Sequence, residues 1–253
     1  MPTLTAPPPP TAIARAAPRL ELPSVAFFGR TLAEYARFFA LDLPALRGRD
    51  VLDVGAGPSS FTAEASARRI DAVAVDPRYG NTPETLAANV ELDYERMFTQ
   101  VRARRSLVRV GRPGRFYFPS IAAAEAERRL AAERFLADYA THYAHGRYVG
   151  GTLPRLPFFD GTFDLVLCAH LLFTYADRFD YDWHLAACRE LVRVSAHEVR
   201  LHPLCGLDGK PYPKLAALRR ELKAEGISSE VRGVDYEFFV GSASMLVLGK
   251  AAS

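Results

Sequence analysis

Two carboxylates bracket a pair of glycines near the middle of the first third of the chain. Asp53 stands two residues before Gly55, Ala56 and Gly57 follow, and Asp76 comes 19 residues after Gly57. Glycine at such a point lets a ligand approach the main chain, because no Cβ stands in the way. A carboxylate at position 53 repels a pyrophosphate and suits a cationic group. Ser60 occupies the place where the dinucleotide pattern puts its third glycine, so close packing around a pyrophosphate has less support. A carboxylate at the spacing of Asp76 is placed to accept both hydroxyls of a ribose.

These residues need elements to hold them. The stretch GRDVLDVGAGPSSFTAEA, residues 48–65, reads as a buried strand, a glycine turn and a helix. The strand, RDVLDVG at 49–55, shows no polar alternation, as expected of a parallel strand covered on both faces. The helix PSSFTAEASARR carries Pro58 near its first turn, where a missing N–H costs nothing. IDAVAVDP at 70–77 is a second buried strand that ends on Asp76 and Pro77. Strand, helix and strand within this length make a βαβ unit. Upstream, GRTLAEYARFFA at 29–40 forms a helix with Leu32, Tyr35, Phe38 and Phe39 on one face. An adenosine with a cationic tail and no phosphate fits the turn and its two acids, which describes S-adenosylmethionine (SAM).

The next strand, RYVGG at 147–151, comes only after two helices near 83–105 and 120–141. That is far more chain than a βαβ crossover needs, so residues 82–146 read as a helical cap inserted after the second strand. Alternation then resumes with strands at 162–170 and 197–204 and helices at 180–194 and 212–226. Two β-branched and aromatic runs around Gly241 close the chain as a hairpin. The alternation predicts a doubly wound α/β sheet.

VLDVGAGPSS, AVAVDP and LPRLPFFDGTFDLVLCAH resemble, in order and spacing, the motifs of class I SAM-dependent methyltransferases of the small-molecule type. The resemblance covers residues 48–80 and 147–250. It implies a Rossmann-like methyltransferase fold, a seven-stranded, mostly parallel sheet whose last strand is antiparallel. It implies that Asp53, Gly55, Ala56 and Gly57 line the methionine half of SAM, that Asp76 binds the ribose, and that Pro77 flanks the adenine. Thr152 stands where the family usually carries an aspartate near the adenine amine, with Leu153 packing on the ring. Ala169 and His170, at the end of the fourth strand, face the methionine and the methyl group. His170 is the candidate general base. Arg30 and Tyr35 are placed to close over SAM, with Arg30 pairing its carboxylate. His202 is a further candidate for touching the acceptor.

The rest of the sequence narrows the class. The net charge of +3 is too small to argue for nucleic acid. Seven arginines do fall between 96 and 115, but the helix after them mixes Glu and Arg at helical spacings that can neutralise the patch. RFYFPS at 115–120 adds aromatics that line an acceptor pocket or seat the cap. No NPPY-type tetrad follows the fourth strand, where the chain has CAHLLFTY, and this favours a small molecule over a base or peptide amide. An RNA methyltransferase using the arginine-rich insertion, and a SAM-binding protein without transfer activity, remain as other readings. Cys168, Cys188 and Cys205 match no metal or redox spacing and suggest free thiols in a cytoplasmic setting. His142, His145, His184 and His197 show no ligand spacing, and no metal is expected. The first 22 residues, rich in proline, read as a disordered tail. No run reaches the length of a membrane span.

Overall fold

The computed structural model describes residues 19–111 and 114–250. In chain order the elements are α1 (Leu32–Phe38), β1 (Asp50–Val54), α2 (Phe61–Ser66), β2 (Asp71–Asp76), α3 (Pro83–Ala103), α4 (Ile121–His142), β3 (Tyr148–Gly150), β4 (Phe163–Ala169), α5 (Tyr181–Val194), β5 (Ser195–His202), α6 (Leu215–Ala224), β6 (Ile227–Gly233) and β7 (Ser244–Lys250). The seven strands form one sheet in the order β3-β2-β1-β4-β5-β7-β6. All neighbours pair in parallel except β7, which runs antiparallel to both β5 and β6. This is the sheet that the motif resemblance implies.

The strands are apolar on both faces because helices cover both. Val51 and Leu165 face one layer with Phe38 of α1, Phe61 of α2, Tyr94 of α3 and Phe135 of α4. Leu52 and Val166, one residue along, face the other layer with Leu191 of α5 and Leu218 of α6. The period-2 alternation is therefore present in direction but hidden in composition.

Local signals start the helices. Thr31 and Glu34 form a reciprocal capping box on α1. Thr82 caps α3 with Pro83 in the first turn, Ser120 caps α4, and Asp180 caps α5. The helix expected from Pro58 begins later, after Ser60, because Pro58 and Ser59 lie in the turn that receives the N-terminal segment. The closing strands do pair, but through a connection over 234–243 rather than a tight turn at Gly241.

Residues 1–18 of the expected tail lie outside the described residues. Residues 19–22 depart from that expectation. Leu20 and Leu22 are buried, Leu20 N–H donates to the Leu207 carbonyl, and Glu21 N–H donates to Gln100 Oε1. Burial of two leucines outweighs the disorder suggested by nearby prolines.

Helices α3 and α4 pack against one another between β2 and β3. They are anchored from within by Arg128, which is fully buried. Its Nη2 lies 2.9 Å from Glu34 Oε1 and donates to Tyr236 Oη at 3.2 Å. Its guanidinium lies over the rings of Phe238, Phe118 and Phe28. One side chain thus ties the insertion to α1 and to the segment before β7.

Candidate functional site

The strand order reverses at β1: the chain goes on to β2 and β3 on one side and later to β4 on the other. In an open α/β sheet ligands bind outside the strand ends at such a point. A cavity lies there, open to solvent at its mouth. Arg30, Gly55, Gly57, Asp76, Pro77, Thr152, Leu153, Ala169 and His170 all line it. The residues picked from the sequence around four strand ends thus converge on one space. Asp53 and Ala56 are buried behind the turn and do not line it.

Gly55 and Gly57 both take positive φ, +66° and +55°. A Cβ on Gly55 would come 2.7 Å from Leu171 Cδ2, inside the cavity wall. Asp76 accepts the N–H of Gly57 at 3.0 Å and of Arg78 at 2.9 Å. Burial raises its pKa, and those two N–H groups and the Arg78 guanidinium oppose the rise. The carboxylate therefore stands fixed at the mouth of the turn.

Asp53 faces the other way. Its two oxygens accept from Tyr35 Oη, and burial lifts its pKa to about 8, with the Tyr35 hydrogen bond opposing and the nearby Asp76 charge adding. Tyr35 is engaged by Asp53 and does not line the cavity, whereas Arg30, which precedes α1, does.

Arg30 is a buried cation at the cavity wall. Its Nη1 donates to the Phe28 carbonyl at 3.1 Å, and its Nε has no partner among the described residues. Burial and the charge of Arg128 lower its pKa, and Glu34, the acid in its field, is already engaged by Arg128. Such a guanidinium calls for an anionic group from a ligand.

His170 directly follows β4, with φ at +52° and its ring buried. Its Nδ1 lacks a partner among the described residues, and burial together with Arg30 and His202 holds its pKa well below the usual histidine value. The imidazole is neutral at neutral pH. His202 packs behind it against α1 and the segment before β7. Its Nε2 lies 2.7 Å from the Ser242 carbonyl, its ring stacks on Phe38, and burial lowers its pKa to about 3.

Sequence reasoning missed the wall formed by residues 25–28 and by Thr174, Tyr175, Phe179 and Trp183. The N-terminal wall had one signal, Gly29. A Cβ there would fall 2.0 Å from the Pro58 carbonyl oxygen, so the segment crosses the glycine turn in contact. From the insertion, Asp93 accepts the Phe27 N–H and Tyr94 Oη accepts the Gly29 N–H. Arg78 donates to Asp93 and to the Val25 carbonyl, joining β2, the wall and α3. Among the described residues of the insertion, only Met97 contributes to the cavity lining. Tyr117 and Phe118 line no part of it and pack on Tyr236 and Phe238.

No family model matches the chain. It is 28% identical over 236 residues to the uncharacterized protein MJ0045 of Methanocaldococcus jannaschii, covering 90% of this chain and 98% of that protein. Among solved structures it is similar to magnesium protoporphyrin IX methyltransferase from Synechocystis PCC 6803 with bound SAM, at 15% identity and a TM-score of 0.40, over 83% of this chain and 74% of that one. A SAM-dependent methyltransferase from Aquifex aeolicus is similar at 15% identity and a TM-score of 0.39, over 85% of this chain and 92% of that one. No helix among the described residues is long and apolar enough to cross a membrane.

Proposed function

We propose that the cavity binds SAM and that the protein transfers its methyl group to a small-molecule acceptor. The observation that carries the reading is the pair of opposite charges across one glycine turn: Arg30, whose neighbouring acid is already taken, and Asp76, held by two N–H groups. A carboxylate suits Arg30 and a ribose suits Asp76. Asp53, behind the turn, supplies a negative field once the ammonium draws off its proton. Pro77, Thr152 and Leu153 flank the adenine, with the Thr152 hydroxyl in place of the family's usual aspartate.

SAM supplies a methyl already activated by a positively charged sulfur. The chain then contributes alignment and exclusion of water. Where the acceptor carries a proton, the neutral His170 ring accepts it. Residues 82–146 serve as a cap in this reading by holding residues 25–29 over the turn through Asp93 and Tyr94. The buried free thiols suit a cytoplasmic setting. The RNA reading has less support, because Arg102, Arg104 and Arg109 already pair with Glu125, Glu21 and Glu237.

Titration calorimetry tests the assignment. Charge-assisted hydrogen bonds are worth about 1.5–3 kcal/mol each, so Asp76→Ala and Arg30→Met should each lower SAM affinity at least tenfold. Unchanged affinity in both folded variants would sink it. Turnover of SAM to S-adenosylhomocysteine separates a transferase from a non-catalytic SAM-binding protein.

A further inference from the structure

We infer, on the reading of the cavity as a SAM site, that Tyr79 is a positioning residue for that site. Its hydroxyl holds the carbonyl of Gly57, and helix α4 of the insertion holds Tyr79.

Tyr79 does not line the cavity. It is buried against the glycine turn, and its hydroxyl donates to the Gly57 carbonyl at 2.6 Å. The N–H of the same glycine donates to Asp76 Oδ2 at 3.0 Å. Asp76 and Tyr79 are themselves joined, since the Tyr79 N–H donates to the Asp76 carbonyl at 3.2 Å. One turn at the end of β2 therefore grips both backbone polar groups of one glycine.

Gly57 is the residue that needs this grip. Its φ is +55°, and a glycine has the widest choice of other conformations. The two hydrogen bonds fix the peptide units on either side of its Cα. With the carbonyl released, Gly57 is free to turn and its N–H to leave Asp76. The carboxylate that takes the ribose would then keep the Arg78 N–H and lose the other of its two backbone donors. Tyr79 thus acts on the ligand through Gly57 and Asp76.

Helix α4 fixes Tyr79 in turn. Phe135 stacks on its ring at 5.7 Å between centroids, and Tyr139, one helical turn on, lies 5.6 Å away. Tyr139 Oη accepts the Gly80 N–H at 2.9 Å and donates to the Asn81 carbonyl at 3.0 Å. Tyr148 of β3 meets the Tyr79 ring edge-on at 5.5 Å and donates to Asp138 of α4 at 2.7 Å. Rings and hydrogen bonds from one helix therefore hold residues 79–81. The insertion bears on the nucleoside half of the site through these contacts as well as on the N-terminal wall.

Calorimetry with SAM, S-adenosylhomocysteine and adenosine tests this on the full chain. Tyr79→Phe keeps the ring and its stacking and removes the donor. It should weaken all three ligands at least fivefold, because the defect lies at the ribose, while the variant still unfolds cooperatively. A role in packing alone leaves the three affinities unchanged in this variant, and that result overturns the inference. In an Asp76→Ala background the same change should weaken SAM less than twofold, since its effect passes through Asp76. Equal losses in the two backgrounds also overturn it. Should Tyr79→Phe not fold, Tyr139→Phe decides: SAM at least threefold weaker supports the inference, and unchanged affinity overturns it. A natural chain that binds none of the three ligands sinks the SAM reading and the inference with it. Binding by the natural chain with no loss in Tyr79→Phe sinks the inference and leaves the SAM reading standing.

Discussion

The Tyr35 hydroxyl lies 3.1 Å and 3.0 Å from the two oxygens of the Asp53 carboxylate, with Ser59 Oγ at 3.2 Å from the same hydroxyl. One phenol is thus the donor to a carboxylate that has no exposed surface.

The pH dependence of stability follows from that pair. Asp53 titrates at about 8 in the folded chain, against 3.8 ordinarily. Between these values the folded state keeps a proton that the unfolded state has lost. The contribution is complete below the lower value and declines as pH rises through the higher one, with a ceiling of about 1.4 kcal/mol per pH unit. Urea unfolding should therefore show the natural chain losing stability from about pH 5 to about pH 8, and Asp53→Asn losing measurably less. Equal losses would remove Asp53 as the source.

SAM binding should release a proton near pH 7, where Asp53 still holds one. A cationic ligand near Asp53 favours its charged form. Calorimetry in two buffers of different ionisation enthalpy, near pH 7, should show buffer-dependent heats that vanish in Asp53→Asn. Identical heats in both buffers would argue against an ammonium near this carboxylate.

Arg128 should behave as a keystone whose removal is worse than removal of its whole pair. Arg128→Met leaves Glu34 buried without its cation, at a cost of about 3–5 kcal/mol. Adding Glu34→Gln should recover most of that loss. Chemical denaturation of the single and double variants checks this, and a double variant no more stable than Arg128→Met would contradict it.

RNA should bind weakly. Phosphate contacts release counterions and make binding steeply salt-dependent. Filter binding of labelled RNA between low and physiological salt should show little retention at the higher salt. Neutralising Arg102, Arg104 and Arg105 together should leave methyl transfer nearly intact. Tight binding at physiological salt, lost in the triple-alanine variant, would promote the RNA reading.

The framework was legible where one physical cause dominated. Apolar strands covered on both faces marked β1, β2 and β4, and strand-end position placed Asp76 and His170 at the cavity. Arg30 was found from its nearness to α1, although it precedes the helix. The face of Tyr35 was legible from helical period, but its partner was not, since period says which side is buried and nothing about what lies there. Thr174 and Tyr175 lie between β4 and α5, where neither period 2 nor period 3.6 applies. The partner of His202 was not legible, because the connection before β7 returns across the end of β5 and engages its imidazole through Ser242. Leu20 and Leu22 were masked by the prolines upstream.

The N-terminal wall carries a consequence for synthesis. Phe27, Phe28 and Arg30 leave the ribosome early, yet Tyr94, Arg128, Leu207, Tyr236 and Phe239 must all follow before the wall has its neighbours. At about 5–20 residues per second, the interval from residue 30 to residue 239 is roughly 10–40 s. For that time two adjacent phenylalanines lack part of their native cover, with Tyr94, Phe98 and Phe135 arriving first. The nascent chain therefore offers an apolar handle to cellular chaperones, one that disappears only when the last strand pair is complete.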